Sequence, residues 1–187
     1  SRGPGPPHEP AEDAGTGLIP SSPDPRAAPS PCYIAPHMRL GQDVLTDLER
    51  ALAHEWLLAD GIGGSALGTA AGARSRPEHA LLVAPGRTGA SVALLALDAR
   101  LVADSATHEL ATHRWTHAGV NPAGHELLES FALDPWPVWR FRAGPVTLEK
   151  SLFLLAGHTA LVVSYRHIAG PAARLTVSPV VTARGPG

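Results

Sequence analysis

The residues with most scope for chemistry lie in Glu55-Trp56-Leu57-Leu58-Ala59-Asp60-Gly61-Ile62-Gly63-Gly64-Ser65-Ala66-Leu67-Gly68-Thr69, followed by Arg76, His79 and the apolar run Leu81-Leu82-Val83-Ala84. Gly61, Gly63 and Gly64 let the backbone turn sharply with its N–H groups exposed, because glycine takes positive φ and admits close approach without steric cost. Two chemistries use such a loop. The first is phosphate cradling, since Gly61 to Ala66 satisfies G-x-G-x-x-A. A dinucleotide site also needs a strand before the loop, a helix after it and an acidic residue about 20 positions on. Here Pro85, Gly86 and Arg87 follow the next apolar run, with no carboxylate. The second is a rigid corner that carries polar groups: Asp60, Gly61, Gly63 and Gly64 with Arg76 and His79. Arg76 and His79 can hydrogen-bond a ligand or a neighbouring domain, or satisfy the carbonyls of their own loop, and their spacing leaves both readings open.

Histidines also gather between His108 and His125, with His113 and His117 four apart, the spacing that places two imidazoles on one helix face in zinc sites. Gly119, Asn121, Pro122 and Gly124 break any helix there, and no cysteine or carboxylate cluster completes a ligand set, so solvated loop histidines are expected and no metal or cofactor is assigned. Trp136 and Trp139 flank Pro137. Indoles in a β-rich chain serve as core or interface anchors more often than as sugar platforms. Trp139, on one face with Phe141, is expected in the core, and Trp136 is the candidate interdomain anchor.

These residues need elements to hold them. From Gln42 to Trp56, Val44, Leu45, Leu48, Leu52 and Trp56 recur at helical spacing, and Thr46 with Glu49 fits a capping box, so the pattern predicts one short amphipathic helix leading into the glycine loop. After Ala80 short apolar runs alternate with turn signals: 81–84, 92–97, 127–133, 138–141, 146–156, 159–168 and 174–182. That succession predicts a mainly β domain, an antiparallel two-layer sandwich. Leu161, Val163 and Tyr165, then Leu175 and Val177 beyond Ala169-Gly170-Pro171, predict a final hairpin with one buried face. Leu152-Phe153-Leu154-Leu155-Ala156 is apolar throughout and predicts a strand covered on both sides, by another domain or a loop.

The 187 residues suffice for one domain with a real core. Ten of the 19 prolines precede His37, so residues 1–37 are expected to form a disordered lead-in and residues 38–187 the folded domain. A net charge of -2 with 17% charged residues gives no basic footprint for nucleic acid. No apolar run approaches the roughly 18 residues of a membrane span. The single Cys32 forms no internal disulfide, and no signal peptide is evident, so a soluble, cytoplasmic setting is expected. The chain opens on Ser1 and reads as a piece of a longer product.

The order of residues in the glycine corner resembles the N-terminal domain of the bacterial and archaeal type of glycogen debranching enzyme. That pattern runs Glu-Trp-Leu, two residues, Gly-(Leu/Ile)-Gly-Gly, a stretch ending in Gly-Thr, then Arg-Arg-Tyr-His-Gly-Leu-Leu. Glu55, Trp56, Leu57, Gly61, Ile62, Gly63, Gly64, Gly68, Thr69, Arg76, His79, Leu81 and Leu82 fit it. The resemblance continues through Gly86-Arg87-Thr88, Phe131 to Trp139, Leu148-Glu149-Lys150 and Val162-Val163-Ser164-Tyr165-Arg166, covering roughly Gly41 to Arg184. Asp60, Ser65, Pro77, Glu78 and Ala80 depart from it.

The resemblance implies a β-supersandwich accessory to an amylo-α-1,6-glucosidase in glycogen or α-glucan breakdown, with the catalytic carboxylates in a following (α/α)6 barrel. Cleavage of a glycosidic bond needs two carboxylates about 5 to 10 Å apart. Asp98, Asp104, Glu126, Glu129 and Glu149 offer no such pairing in sequence, so no catalytic residue is assigned here. The expected partners are that C-terminal barrel and α-glucan or glycogen, met through Asp60 to Gly64 with Arg76 and His79. The competing reading is a stand-alone carbohydrate-binding or protein-interaction module.

Overall fold

The computed structural model describes Gly3 and residues 37–186 except Thr88, so the expected Pro-rich lead-in falls almost wholly outside the described residues. In chain order the elements are β1 (Met38–Gly41), α1 (Gln42–Leu45), α2 (Leu48–Leu52), β2 (Glu55–Ala59), β3 (Ser65–Thr69), β4 (Ala80–Ala84) and β5 (Ser91–Ala103). Then come β6 (Ala106–Glu109), β7 (Thr112–Trp115), β8 (Gly119–Ala123), a 3-10 turn at Gly124–Leu127, β9 (Leu128–Leu133), β10 (Pro137–Ala143), β11 (Val146–Leu154), β12 (Leu161–Ala169) and β13 (Arg174–Arg184). One sheet runs β1-β9-β10-β11-β12 and the other β13-β5-β4-β3-β2, with β6 added to β5, while β7 and β8 form a separate ribbon. Strand pairing is antiparallel throughout these sheets, and the two main ones pack as the predicted sandwich.

Period-2 alternation explains the packing. In β10, Trp139, Phe141 and Ala143 are buried while Arg140 and Arg142 point outward to Glu149 and Glu129. Trp139 is 3% exposed and sits between Phe131, at 5.3 Å, and Trp56 of the opposite sheet, edge-on at 5.7 Å. Its indole N–H donates to the Ala70 carbonyl at 2.9 Å, so the polar end of this central ring is satisfied inside the sandwich. Each leucine or phenylalanine buried in this layer stabilises the fold by roughly 1.5–3 kcal/mol.

Two expectations require correction. The single helix from Gln42 to Trp56 is instead two one-turn helices followed by a strand. Thr46 donates its hydroxyl back to the Gln42 carbonyl at 2.8 Å, so the Thr46–Glu49 capping box does not form; the cap is Asp47, which accepts from the Arg50 N–H. Trp56 reaches the core because Glu55–Ala59 gains a ladder with β3, a tertiary gain that overrides the helical spacing. The predicted final hairpin is also absent. β12 pairs with β11, placing Tyr165 opposite Lys150, whereas β13 pairs with β5, placing Val177 opposite Ala99. The turn at Gly170 therefore carries the chain from one sheet to the other; Leu161, Val163, Tyr165 and Leu175 are half-buried against the core, each in its own layer, while Val177 stays exposed, so the predicted buried face is only partly formed.

The all-apolar run 152–156 alternates like its neighbours. Leu152 and Leu154 are buried, and Phe153 is half-buried on the opposite face, where Trp136 of the β9–β10 turn covers it at 5.1 Å. A loop thus supplies its second cover.

Candidate functional site

β2 and β3 form an antiparallel hairpin in which Glu55 opposes Thr69 and Ala59 opposes Ser65, with Asp60 to Gly64 as the connection. Gly61 (φ 82°) and Gly63 (φ 103°) take left-handed conformations. Asp60 is fully buried and organises the turn: Oδ1 accepts from the N–H groups of Ile62 and Gly64, both at 2.8 Å, and its own N–H donates to the Gly64 carbonyl. The Asp60 carbonyl accepts from Gly157 at 2.8 Å, tying the loop to the β11–β12 turn. Asp60 is therefore a scaffold inside the corner, and Ile62, 52% exposed, is what the corner presents. The hairpin also excludes the phosphate reading, which needs a helix after the glycines.

Arg76 and His79 lie at the other end of that hairpin. Both converge on Glu55: Arg76 clasps it with two guanidinium nitrogens, Nε at 2.8 Å and Nη2, and His79 Nε2 lies 3.3 Å from Glu55 Oε1 without hydrogen-bond alignment. His79 Nδ1 accepts from the Ser75 N–H at 3.1 Å, which places the proton of the neutral ring on Nε2. The His79 carbonyl accepts from Arg74 Nε, and its N–H donates to the Arg76 carbonyl. The geometry favours local satisfaction for this pair. At about 3.3 Å per residue, four strand steps separate the clasp from the glycine loop by about 13 Å, so the two halves of the sequence-predicted site are not brought together. Trp136 is half-buried on Phe153.

His79 is completely buried, and burial followed by the charges of Arg76 and Arg74 holds its pKa below the ordinary histidine value of 6.5, with Glu78 opposing. Burial lowers His125 as well, against Glu126. The unfolded chain therefore binds these protons more readily than the folded one. Stability from the neutral rings is complete above pH 6.5 and is lost as pH falls below it. Melting temperatures across this range should decline on acidification, and His79→Gln should flatten part of the decline; an unchanged profile would contradict the assignment.

Spacing alone gave no notice of the polar cleft between the sheets. Lys150 of β11 points inward between Leu148 and Leu152, opposite Tyr165 of β12. Its Nζ lies 5.5 Å from the Trp139 ring centre and 5.9 Å from that of Tyr165. Asp98 of β5 lines the same cleft and is held by His113 Nε2 at 2.9 Å. The Tyr165 hydroxyl is buried with no hydrogen-bond partner among the described residues. Burial lowers the Lys150 pKa to about 8, partly offset by Asp98, and raises that of Tyr165. The available signal was strand parity, which puts Lys150 in register with two core leucines.

Among the described residues no helix is long and apolar enough to cross a membrane. The family described as Glycogen debranching enzyme N terminal matches residues 54–187, which takes in the glycine corner, the Glu55 clasp and the cleft. No curated protein and no solved structure matches the chain.

Proposed function

The chain belongs to the glycogen debranching enzyme N-terminal family, and from that membership we propose that residues 38–187 act as the accessory domain of a debranching protein in α-glucan breakdown, docking a catalytic (α/α)6 barrel. The observation that carries this reading is the β2–β3 corner. β2 is the edge strand of its sheet, Leu57 on it is 40% exposed, and Ile62 is 52% exposed on a loop held from inside by Asp60. A rigid apolar tip on a free edge suits docking of another domain, because little ordering entropy is lost when it is covered. The Arg76–Glu55–His79 clasp fixes the far end of the same hairpin, and Trp136 offers a second contact.

Association with a separately produced barrel domain tests the reading. Ile62→Asp should weaken that association about tenfold or more by placing a charge in an apolar contact, while circular dichroism and melting temperature stay near wild type because Ile62 touches solvent. Equal affinity of the variant and the parent would refute docking through this corner.

A further inference from the structure

The chain carries a net charge of -2, yet Arg74, Arg76, Arg114 and Arg184 all line one cleft of about 490 Å3 whose lining includes no carboxylate among the described residues. The cleft forms where the β3–β4 loop, β7 and the end of β13 meet, at the end of the β2–β3 hairpin away from Asp60 to Gly64. Two of these guanidiniums already have a carboxylate: Arg76 holds Glu55, and Arg114 lies 3.0 Å from Glu49. Arg74 and Arg184 make no ion pair among the described residues. Both are instead fastened to carbonyls of the β3–β4 loop, Arg74 Nε donating to His79 at 3.2 Å and Arg184 Nη2 to Pro77 at 2.8 Å. Those bonds keep two like charges near one another, and burial followed by the charge of Arg184 holds the Arg74 pKa below the ordinary arginine value. The fold thus maintains an uncompensated pair of cations at a fixed place, and an anion would relieve their repulsion.

The remaining donors select the anion. A guanidinium carries several N–H donors in a planar fork. Arg74 commits one to the His79 carbonyl, and Arg184 commits one each to Pro77 and Gly185, so each keeps more than one for a ligand. A single fork saturates a carboxylate, whereas two converging forks suit the three oxygens of a phosphate monoester. Trp115 supplies the other half of the site. Its N–H is committed to the Asn121 carbonyl at 2.8 Å and its ring leans on His113 at 5.6 Å, yet it is 54% exposed. An indole fixed in this way beside arginines is a stacking platform for a flat ring. The volume falls within the roughly 300–1,000 Å3 of small-molecule sites, and a concave lining suits such a molecule better than a protein face does. We propose that this cleft binds a phosphate monoester joined to a flat aromatic ring, the chemistry of a mononucleotide, with the phosphate on Arg74 and Arg184 and the ring on Trp115. The site is independent of the glycine corner and of the docking role.

Titration calorimetry of the full chain with AMP as the probe tests this. AMP should bind saturably, and Arg74→Gln and Arg184→Gln should each weaken it about tenfold, as the loss of a charged hydrogen bond implies. Trp115→Ala should weaken AMP about fivefold or more through lost stacking. Ribose 5-phosphate and inorganic phosphate separate the two halves: both should bind more weakly than AMP, with an affinity that Arg184→Gln lowers and Trp115→Ala leaves alone. Near-UV circular dichroism matching the parent separates lost binding from lost fold. Should an arginine variant fail that check, the parent itself decides, because its AMP affinity must fall between about 50 and 200 mM salt if guanidiniums hold the phosphate. No saturable response to AMP, adenosine binding as tightly as AMP, ribose 5-phosphate matching AMP, folded arginine variants with unchanged affinity, or salt-independent binding would each overturn the inference. Arg184→Gln that weakens barrel association in a chain that does not bind AMP would assign the cleft to an acidic protein surface and overturn it as well. Docking through the glycine corner is read separately through Ile62→Asp, so either proposal can fail alone.

Discussion

Gly64→Ala should cost about 3 kcal/mol, because a methyl group there has no room and nothing around it can yield. Its Cβ would lie 2.1 Å from Asp60 Oδ2 and 3.2 Å from the Val83 carbonyl, one a fully buried side chain and the other strand backbone. Asp60 cannot rotate away without abandoning the Ile62 and Gly64 N–H groups that it accepts at 2.8 Å. For a domain of this size the loss is a fall in melting temperature of roughly 6–12 °C. Asp60→Ala should cost a similar amount by a different route, since two loop N–H groups lose their acceptor at roughly 1–3 kcal/mol each. Asp60→Asn keeps an acceptor in place and should cost less. The two alanine changes should also be less than additive when combined, because removing the Asp60 carboxylate removes the nearest clash. Urea melts of the three single variants and the double would show this; full additivity would mean that Gly64 and Asp60 do not act as one unit. Ile62 would then lose its fixed position, and with it the physical basis for docking through this corner.

Alternation is a local property, and it served well wherever one strand buries one face. Trp139 and Phe141, two apart in β10, fell in the core as their parity required, and the apolar runs after Ala80 became strands because turn residues separate them. Strand partners are not local. Leu161 to Tyr165 and Leu175 to Val177 alternate equally well whether they pair with each other or with β11 and β5, so the sequence left two registers open and sheet-to-sheet packing decided between them. Trp56 shows the same limit in reverse: its helical spacing with Leu48 and Leu52 was real, yet a ladder to β3 and an edge contact with Trp139 outweighed it. At the candidate site, Asp60 was identified from its place before the glycines, but a buried acceptor and an exposed ligand contact read alike in sequence. Glu55, which gathers Arg76 and His79 across 21 and 24 residues, could be found only once the strands were placed.

Lys150→Met should stabilise the protein at neutral pH, by roughly 1–3 kcal/mol. In the folded chain burial draws the lysine pKa down from 10.5 to about 8, and Asp98 only partly compensates. The unfolded chain therefore holds this proton more tightly, and between pH 8 and 10.5 it binds more protons than the folded one. Stability must then rise with pH through that window, the penalty being fully present below it and absent above it. A full conversion of the depression gives roughly 3 kcal/mol as an upper bound, reduced because the side chain is half-buried and faces the cleft. Methionine has similar length, carries no charge and packs well against the indole and phenol rings on either side. Tyr165 opposes the trend only near and above pH 10, where the unfolded phenol ionises while the buried one keeps its proton. Urea melts at pH 7 and pH 9 therefore isolate the lysine: the parent should gain stability between them and the variant should not. A parent with no gain, or a variant weaker than the parent at pH 7, would show that the ammonium is well accommodated where it stands. The opposite outcome identifies the Lys150 ammonium as a group held in place at a cost to the fold.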